Sequence, residues 1–142
     1  MTPVAFAAAV LLLLEATLLA MSLLRASSLE AYLSSLLGLG TASLPGPAAF
    51  TTWDVGCCVL LAAGLTGAAR ARPWARAVLT GAAGVLLYPT LTGLAVQFSP
   101  GALPGGFTAG HHLYVNAVLV AETLVCTAAL LTSAIAARTR RP

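Results

Sequence analysis

Charge is what this chain has least of. Four acids and seven arginines make up its charged complement, lysine is absent, and charged residues fill only 8% of 142 positions. A soluble domain of this size carries about 25%, so a surface of ordinary soluble composition is excluded. Hydrophobic residues reach 59% and mean hydropathy is +0.95, as in a chain whose main solvent is lipid.

Motifs are scarce too. The sequence contains no Gly-rich phosphate loop, GxSxG elbow, HExxH pair or CxxCH attachment site, so no soluble catalytic domain, resident cofactor or metal centre is expected. No run interleaves basic and aromatic residues as a nucleic-acid groove would. Cys57, Cys58 and Cys126 all fall in apolar segments without a CxxC spacing. Adjacent cysteines are poorly placed to bridge each other, and all three read as small buried hydrophobes.

Long apolar stretches are plentiful. Four are expected to span a bilayer, over about 3–24, 50–69, 77–98 and 113–137, since about 20 helical residues cross the hydrocarbon core. The fold class is therefore an all-α integral membrane bundle of four helices in a single domain covering residues 1–142. No Arg or Lys precedes the first stretch, and its length exceeds a signal-peptide core. The lack of lysine beside abundant Ala, Leu and Gly points to a GC-rich bacterial source. Arg70, Arg72 and Arg76 surround the link between the second and third spans, and Arg138, Arg140 and Arg141 follow the fourth. An even number of crossings puts both clusters on one side. The positive-inside rule makes that side cytoplasmic, with both termini inside the cell membrane.

The first outer loop carries its own signal. Ser27 and Glu30 have capping-box spacing, and Leu29, Tyr32, Leu33, Leu36 and Leu37 follow one helical face. Gly38 is placed to end that helix. A short amphipathic helix over about 28–37 is expected at the outer interface. Pro45-Gly46-Pro47 and the loop 99–110 read as turns. Gly56, Ala63, Gly64 and Gly67 on the second span, and Gly81 and Gly84 on the third, offer small positions for close helix packing.

Glu15 and Glu122 lie near the middle of the first and last spans. An acid at a helix centre costs about 2.5–3.5 kcal/mol to insert, so it faces protein, water or ligand more readily than lipid. At 1.5 Å per residue, Glu15 is about 15 Å below Arg25 and Glu122 about 15 Å below His112. Tyr88 falls halfway along the third span beside Pro89, which removes a helical hydrogen bond. Glu15, Glu122 and Tyr88 are the candidate catalytic set, with the two carboxylates facing each other and one of them holding a proton.

One face of the last span carries His111, Val115, Val118, Glu122 and Cys126. Ala8, Leu11, Glu15 and Ser22 share a face on the first, and Asp54, Cys58 and Leu61 on the second. These stripes imply a partly polar interior open to the outer side. At its mouth stand Trp53, Asp54, Gln97, His111, His112, Tyr114 and Asn116. Trp53, Asp54, His111, His112 and Asn116 are the candidate ligand-binding residues. Adjacent histidines on a helix diverge by about 100°, which disfavours one shared ion. Interfacial anchoring and hydrogen bonding are the ordinary roles of such residues, and His111 is also placed to titrate.

A Glu inside an otherwise apolar first span resembles the small multidrug resistance exporters. Those chains are shorter, with compact loops, and lack the amphipathic helix and the fourth-span Glu found here. The layout also resembles the DoxX-like class of bacterial four-helix membrane proteins, which have a long first outer loop. This similarity is one of architecture and implies the fold without naming an activity.

Three function classes follow. The first is an accessory or ligand-binding membrane protein whose interior takes a hydrophobic ligand such as a quinone, alone or in a larger membrane complex. The second is an intramembrane enzyme on a lipid or isoprenoid substrate, with the two Glu as acid and base. The third is a proton-coupled transporter, which four helices enclose only as a homo-oligomer.

Overall fold

The computed structural model describes residues 2–25, 29–36, 50, 52–98 and 110–139; side chains at 25, 31, 34–36, 96–98, 111–113 and 115 fall outside that description. Five helices follow in order: α1 (Pro3–Arg25), α2 (Leu29–Leu36), α3 (Thr52–Ala69), α4 (Ala75–Phe98) and α5 (Gly110–Arg138). Four of them, α1, α3, α4 and α5, are long and apolar enough to cross a membrane. Their limits fall within three residues of those expected from hydropathy. Ser27, Leu37, Gly38, the Pro45-Gly46-Pro47 turn, the loop 99–109 and Arg140 and Arg141 lie outside the described residues.

The long helices form an up-down-up-down bundle. α1 packs on α3 and α5, and α4 packs on the same two from the opposite corner. The buried positions follow a seam on each helix in steps of three and four residues, alternating on α1 and, as far as Gly64, on α3, and with two successive steps of four on α4 and α5. On α1 these are Val4, Ala8, Leu11, Glu15, Leu18 and Ser22; on α3, Asp54, Cys57, Leu61 and Gly64. On α4 they include Ala75, Leu79, Ala82, Leu86 and Thr90, and on α5 Val118, Glu122, Cys126, Ala129 and Ser133. The α3 stripe differs from the expected one, because Cys57 rather than Cys58 is fully buried. A three-residue step from Asp54 keeps it facing the partners; Cys58 is only half-buried.

The tight link between α3 and α4 ends α3 with a Schellman motif. Arg72 N donates to Gly67 O at 2.9 Å and Ala71 N to Ala68 O at 3.1 Å, around Ala71 in the left-handed region at φ 52°. Pro73 follows, where the helix has already stopped. Directly inside this turn the two helices approach closely. A Cβ on Gly64 would sit 2.5 Å from Leu79 Cδ2, and one on Gly67 would sit 2.6 Å from the Trp74 ring. Gly56 and Gly81 instead face open space, and Gly84 only reaches Leu130. Of the small positions expected to pack, Gly64 and Gly67 carry the α3–α4 approach.

The outer surface is apolar. Phe6, Leu13, Val59, Leu60, Leu91, Leu124, Leu131 and Ile135 are all exposed. Hydroxyls on that surface are satisfied internally: Thr17, Thr66, Thr92, Thr127 and Thr132 each donate to the carbonyl four residues earlier. This is the arrangement a hydroxyl needs where water is absent.

Candidate functional site

Apart from Ser133, the buried polar residues of the seams gather in one half of the bundle. The half of the bundle nearest the α3–α4 turn is filled by an apolar cluster that includes Leu11, Leu61, Leu79, Ala82, Leu86 and Ala129. The opposite half holds a smaller cluster of Leu18, Phe50 and Val118, together with buried Glu15, Ser22, Asp54, Thr90, Asn116 and Glu122. Glu15 is 0% exposed and Glu122 1%.

Contacts along the bundle fix the relative heights. Thr80 meets Ser133, a Cβ on Gly84 would meet Leu130, and one on Gly93 would meet Leu119. Each step up α4 is thus matched by a step down α5, and Glu122 stands opposite Thr90 and Leu91. Gly64 against Leu79, and Gly67 against Trp74 and Ala75, set α3 on α4 in the same way. Asp54 then stands opposite Tyr88 and Pro89. The groove between α1 and α5 is lined by Pro3, Phe6, Ala7 and Val10 on one side and by Val125, Ala128, Ala129 and Thr132 on the other, and the antiparallel run of the two helices carries Glu15 to about the height of Val120. The three acids therefore lie within about one helical turn, roughly 5 Å, of a common level.

Electrostatics agree with this layer. Glu15 is within range of both Glu122 and Asp54, and Glu122 of Asp54. Cys57 and Cys126 lie one turn further in and interact with the same carboxylates. The sequence reading separated Asp54, at a mouth, from the two Glu at the midplane. In the fold they form one cluster, because α3 begins only two residues before Asp54 while α1 and α5 extend well beyond it.

Hydrogen bonding at this level is incomplete. Among the described residues, both carboxylate oxygens of Glu15, Oε1 of Glu122, both amide atoms of Asn116 and the Tyr32 hydroxyl are buried without a hydrogen-bond partner. Ser22 and Thr90, by contrast, donate to the carbonyls of Leu18 and Leu86. A buried polar group left unpaired costs about 1–3 kcal/mol. Four such groups at one end of a bundle mark where stability gives way to another requirement.

Tyr32 is the residue that sequence reasoning missed. It was assigned only to the apolar face of the amphipathic helix, yet it is 3% exposed while Leu29 and Leu33 are exposed beside it. Burial, and secondarily the Asp54 carboxylate, hold its phenol above the usual range. The signal available was its single hydroxyl on an otherwise aliphatic face.

Other candidates disperse. Tyr88 matches Asp54 in height but is 73% exposed on the outer face of α4. Its side chain leaves on the face opposite Leu86 and Thr90, so it does not join Glu15 and Glu122. Trp53 and Tyr114 are also exposed, as suits interfacial anchors. Asn116 is buried. The side chains of Gln97, His111 and His112 lie outside the described residues. Among the described residues no group of three His, Cys, Asp or Glu could hold a metal ion. No family model matches the chain, and neither does any curated protein or solved structure.

Proposed function

We propose that this chain is a four-span protein of a bacterial cell membrane, with both termini and the arginine end cytoplasmic, that binds a hydrophobic ligand at the Glu15–Asp54–Glu122 cluster. The ligand has an apolar body and a polar head able to hydrogen-bond, as a quinone does. The protein acts alone or as an accessory in a larger membrane complex. The observation that carries this reading is the pair of Glu15 oxygens, fully buried and unpaired among the described residues. A polar ligand head meeting Glu15, Asn116 and Tyr32 would supply the missing partners. The one-sided arginines and the apolar exterior support the membrane orientation.

The test is extraction of the purified protein with organic solvent, followed by mass spectrometry of what it retained. A stoichiometric amphiphile is expected from the native chain, with retention reduced about tenfold in Glu15→Gln and Glu122→Gln, the scale of one lost hydrogen bond to a charged group. Equal retention by both variants would sink the reading.

Proton-coupled transport is the second reading, favoured by acids on three helices at one depth. It requires an obligate oligomer and proton-linked flux in liposomes. An intramembrane enzyme on a lipid or isoprenoid substrate is the third reading, with Glu15 and Glu122 as acid and base and Tyr88 standing apart from them on the outer face of α4.

A further inference from the structure

Among the described residues the arginine end of the bundle carries no acidic side chain. All four acids of the chain are accounted for: Glu15, Asp54 and Glu122 form the layer described above, and Glu30 belongs to α2 at the far end. Arg70, Arg72, Arg76 and Arg138 therefore have no side-chain carboxylate to pair with. Arg76 Nη2 donates to the Ser133 carbonyl at 3.1 Å, which anchors its guanidinium without neutralising it. Between the helix ends lies a cleft of about 330 Å³, walled by Arg72 and Arg76, the hydroxyl residues Thr2 and Thr132, and apolar residues such as Leu79 and Ala136. A second groove of about 300 Å³ runs up the outside of the bundle between α1 and α5, past Phe6, Val10, Val125 and Ala128. Pro3 and Thr132 line both. A cationic, hydroxyl-bearing cleft thus adjoins an almost wholly apolar channel.

We infer that this joined surface binds an anionic glycerophospholipid. Its phosphate sits between Arg72 and Arg76, and one acyl chain lies along the α1–α5 groove. The shared chemistry is a phosphate oxyanion, which guanidinium groups hold through paired N–H donors. The groove selects the lipid over free phosphate, because only the lipid brings an apolar chain to cover Phe6 and Val10. The inference rests on the membrane reading and is independent of the carboxylate cluster, which lies about 15 Å or more along the helices from the arginine cleft where the phosphate would sit.

The experiment is native mass spectrometry of the detergent-purified chain incubated with equal amounts of phosphatidylglycerol and phosphatidylcholine. Phosphatidylglycerol is expected to be retained preferentially, with Arg72→Gln lowering its retention about fivefold, as one interfacial arginine should. Arg138→Gln, outside the cleft, serves as the charge-matched control and should leave retention within about twofold. Ala128→Phe fills the exposed groove without entering the core and should also weaken retention, while millimolar inorganic phosphate should not displace the lipid. Equal retention of both lipids, or equal losses in Arg72→Gln and Arg138→Gln, overturns the inference. Displacement by phosphate with no effect of Ala128→Phe overturns it too, in favour of free phosphate. Glu15→Gln should retain phosphatidylglycerol fully, so failure at the carboxylate cluster is read separately. If the chain does not float with liposomes, the membrane reading and this inference fall together.

Discussion

Glu15 occupies a seam position between Leu11 and Leu18, both essentially inaccessible. Leucine at position 15 would continue the stripe, fill a similar volume and remove two unpaired oxygens. Replacing a buried, unpaired polar group by an apolar residue of similar shape is often neutral or stabilising. Glu15→Leu is therefore expected to raise unfolding free energy by about 1–3 kcal/mol while abolishing ligand retention. Denaturant titration in detergent beside the extraction assay measures both. A variant that loses stability would show that Glu15 is structurally satisfied in the native protein. Tyr32 gives a second prediction at this scale. Its phenol is held above the usual range by burial and then by Asp54, so the folded state resists ionisation more than the unfolded state does. The stability contributed by neutral Tyr32 is complete below the ordinary value of about 10 and is lost as pH rises from there toward the folded value. Tyr32→Phe should flatten that alkaline decline and cost little at neutral pH, because its hydroxyl has no partner among the described residues. Unfolding curves between pH 8 and 11 check the sign.

Helix pairing divides the glycines into two kinds. Gly64 admits Leu79 so closely that a Cβ would overlap it, whereas Gly81 faces open space. Gly64→Val should destabilise the α3–α4 hairpin by about 1–3 kcal/mol through overpacking. Gly81→Ala should be neutral or stabilising by up to about 1 kcal/mol, the helix-propensity gain. Thermal unfolding of the two variants should move in opposite directions, and a similar loss in both would dissolve the distinction. Composition could not separate these glycines, since both lie in apolar helices; only the register of α3 on α4 does so. The same limit governed the site. Hydropathy located the four long helices because each is a continuous apolar run legible by itself. Periodicity placed Ala8, Leu11, Glu15 and Ser22 on one face for the same local reason. Where α3 begins relative to its neighbours is a relation between helices, and the late start at Thr52 lowers Asp54 to the level of Glu122. Tyr88 failed for a similar cause, because depth along α4 was legible while its azimuth on the bundle was not.

Across the whole molecule, charge is segregated along the bundle axis. Arg70, Arg72, Arg76 and Arg138 gather where the α3–α4 turn, the start of α1 and the end of α5 meet, Arg25 closes α1 at the far end, and all acids lie at the middle or the far end. The apolar cluster around Leu11, Leu61, Leu79 and Leu86 fills the space between. The carboxylate layer is thus separated from the arginine end by packed apolar side chains, while buried Tyr32 and Phe50 belong to the half of the bundle on the α2 side. On the proposed membrane reading, a bilayer with its positive-inside bias should hold the chain in one orientation, with the arginine end toward the inner leaflet and the carboxylate half toward the outer one. Single cysteines in place of exposed Trp74, in the α3–α4 turn, and exposed Leu24, near the end of α1, can be introduced after Cys57, Cys58 and Cys126 are changed to alanine. In intact cells a membrane-impermeant maleimide should label Leu24→Cys and spare Trp74→Cys, and permeabilisation should make the second reactive. The reverse pattern would invert the orientation. Labelling of both in intact cells would mean mixed topology, which six arginines on one side against one on the other should prevent.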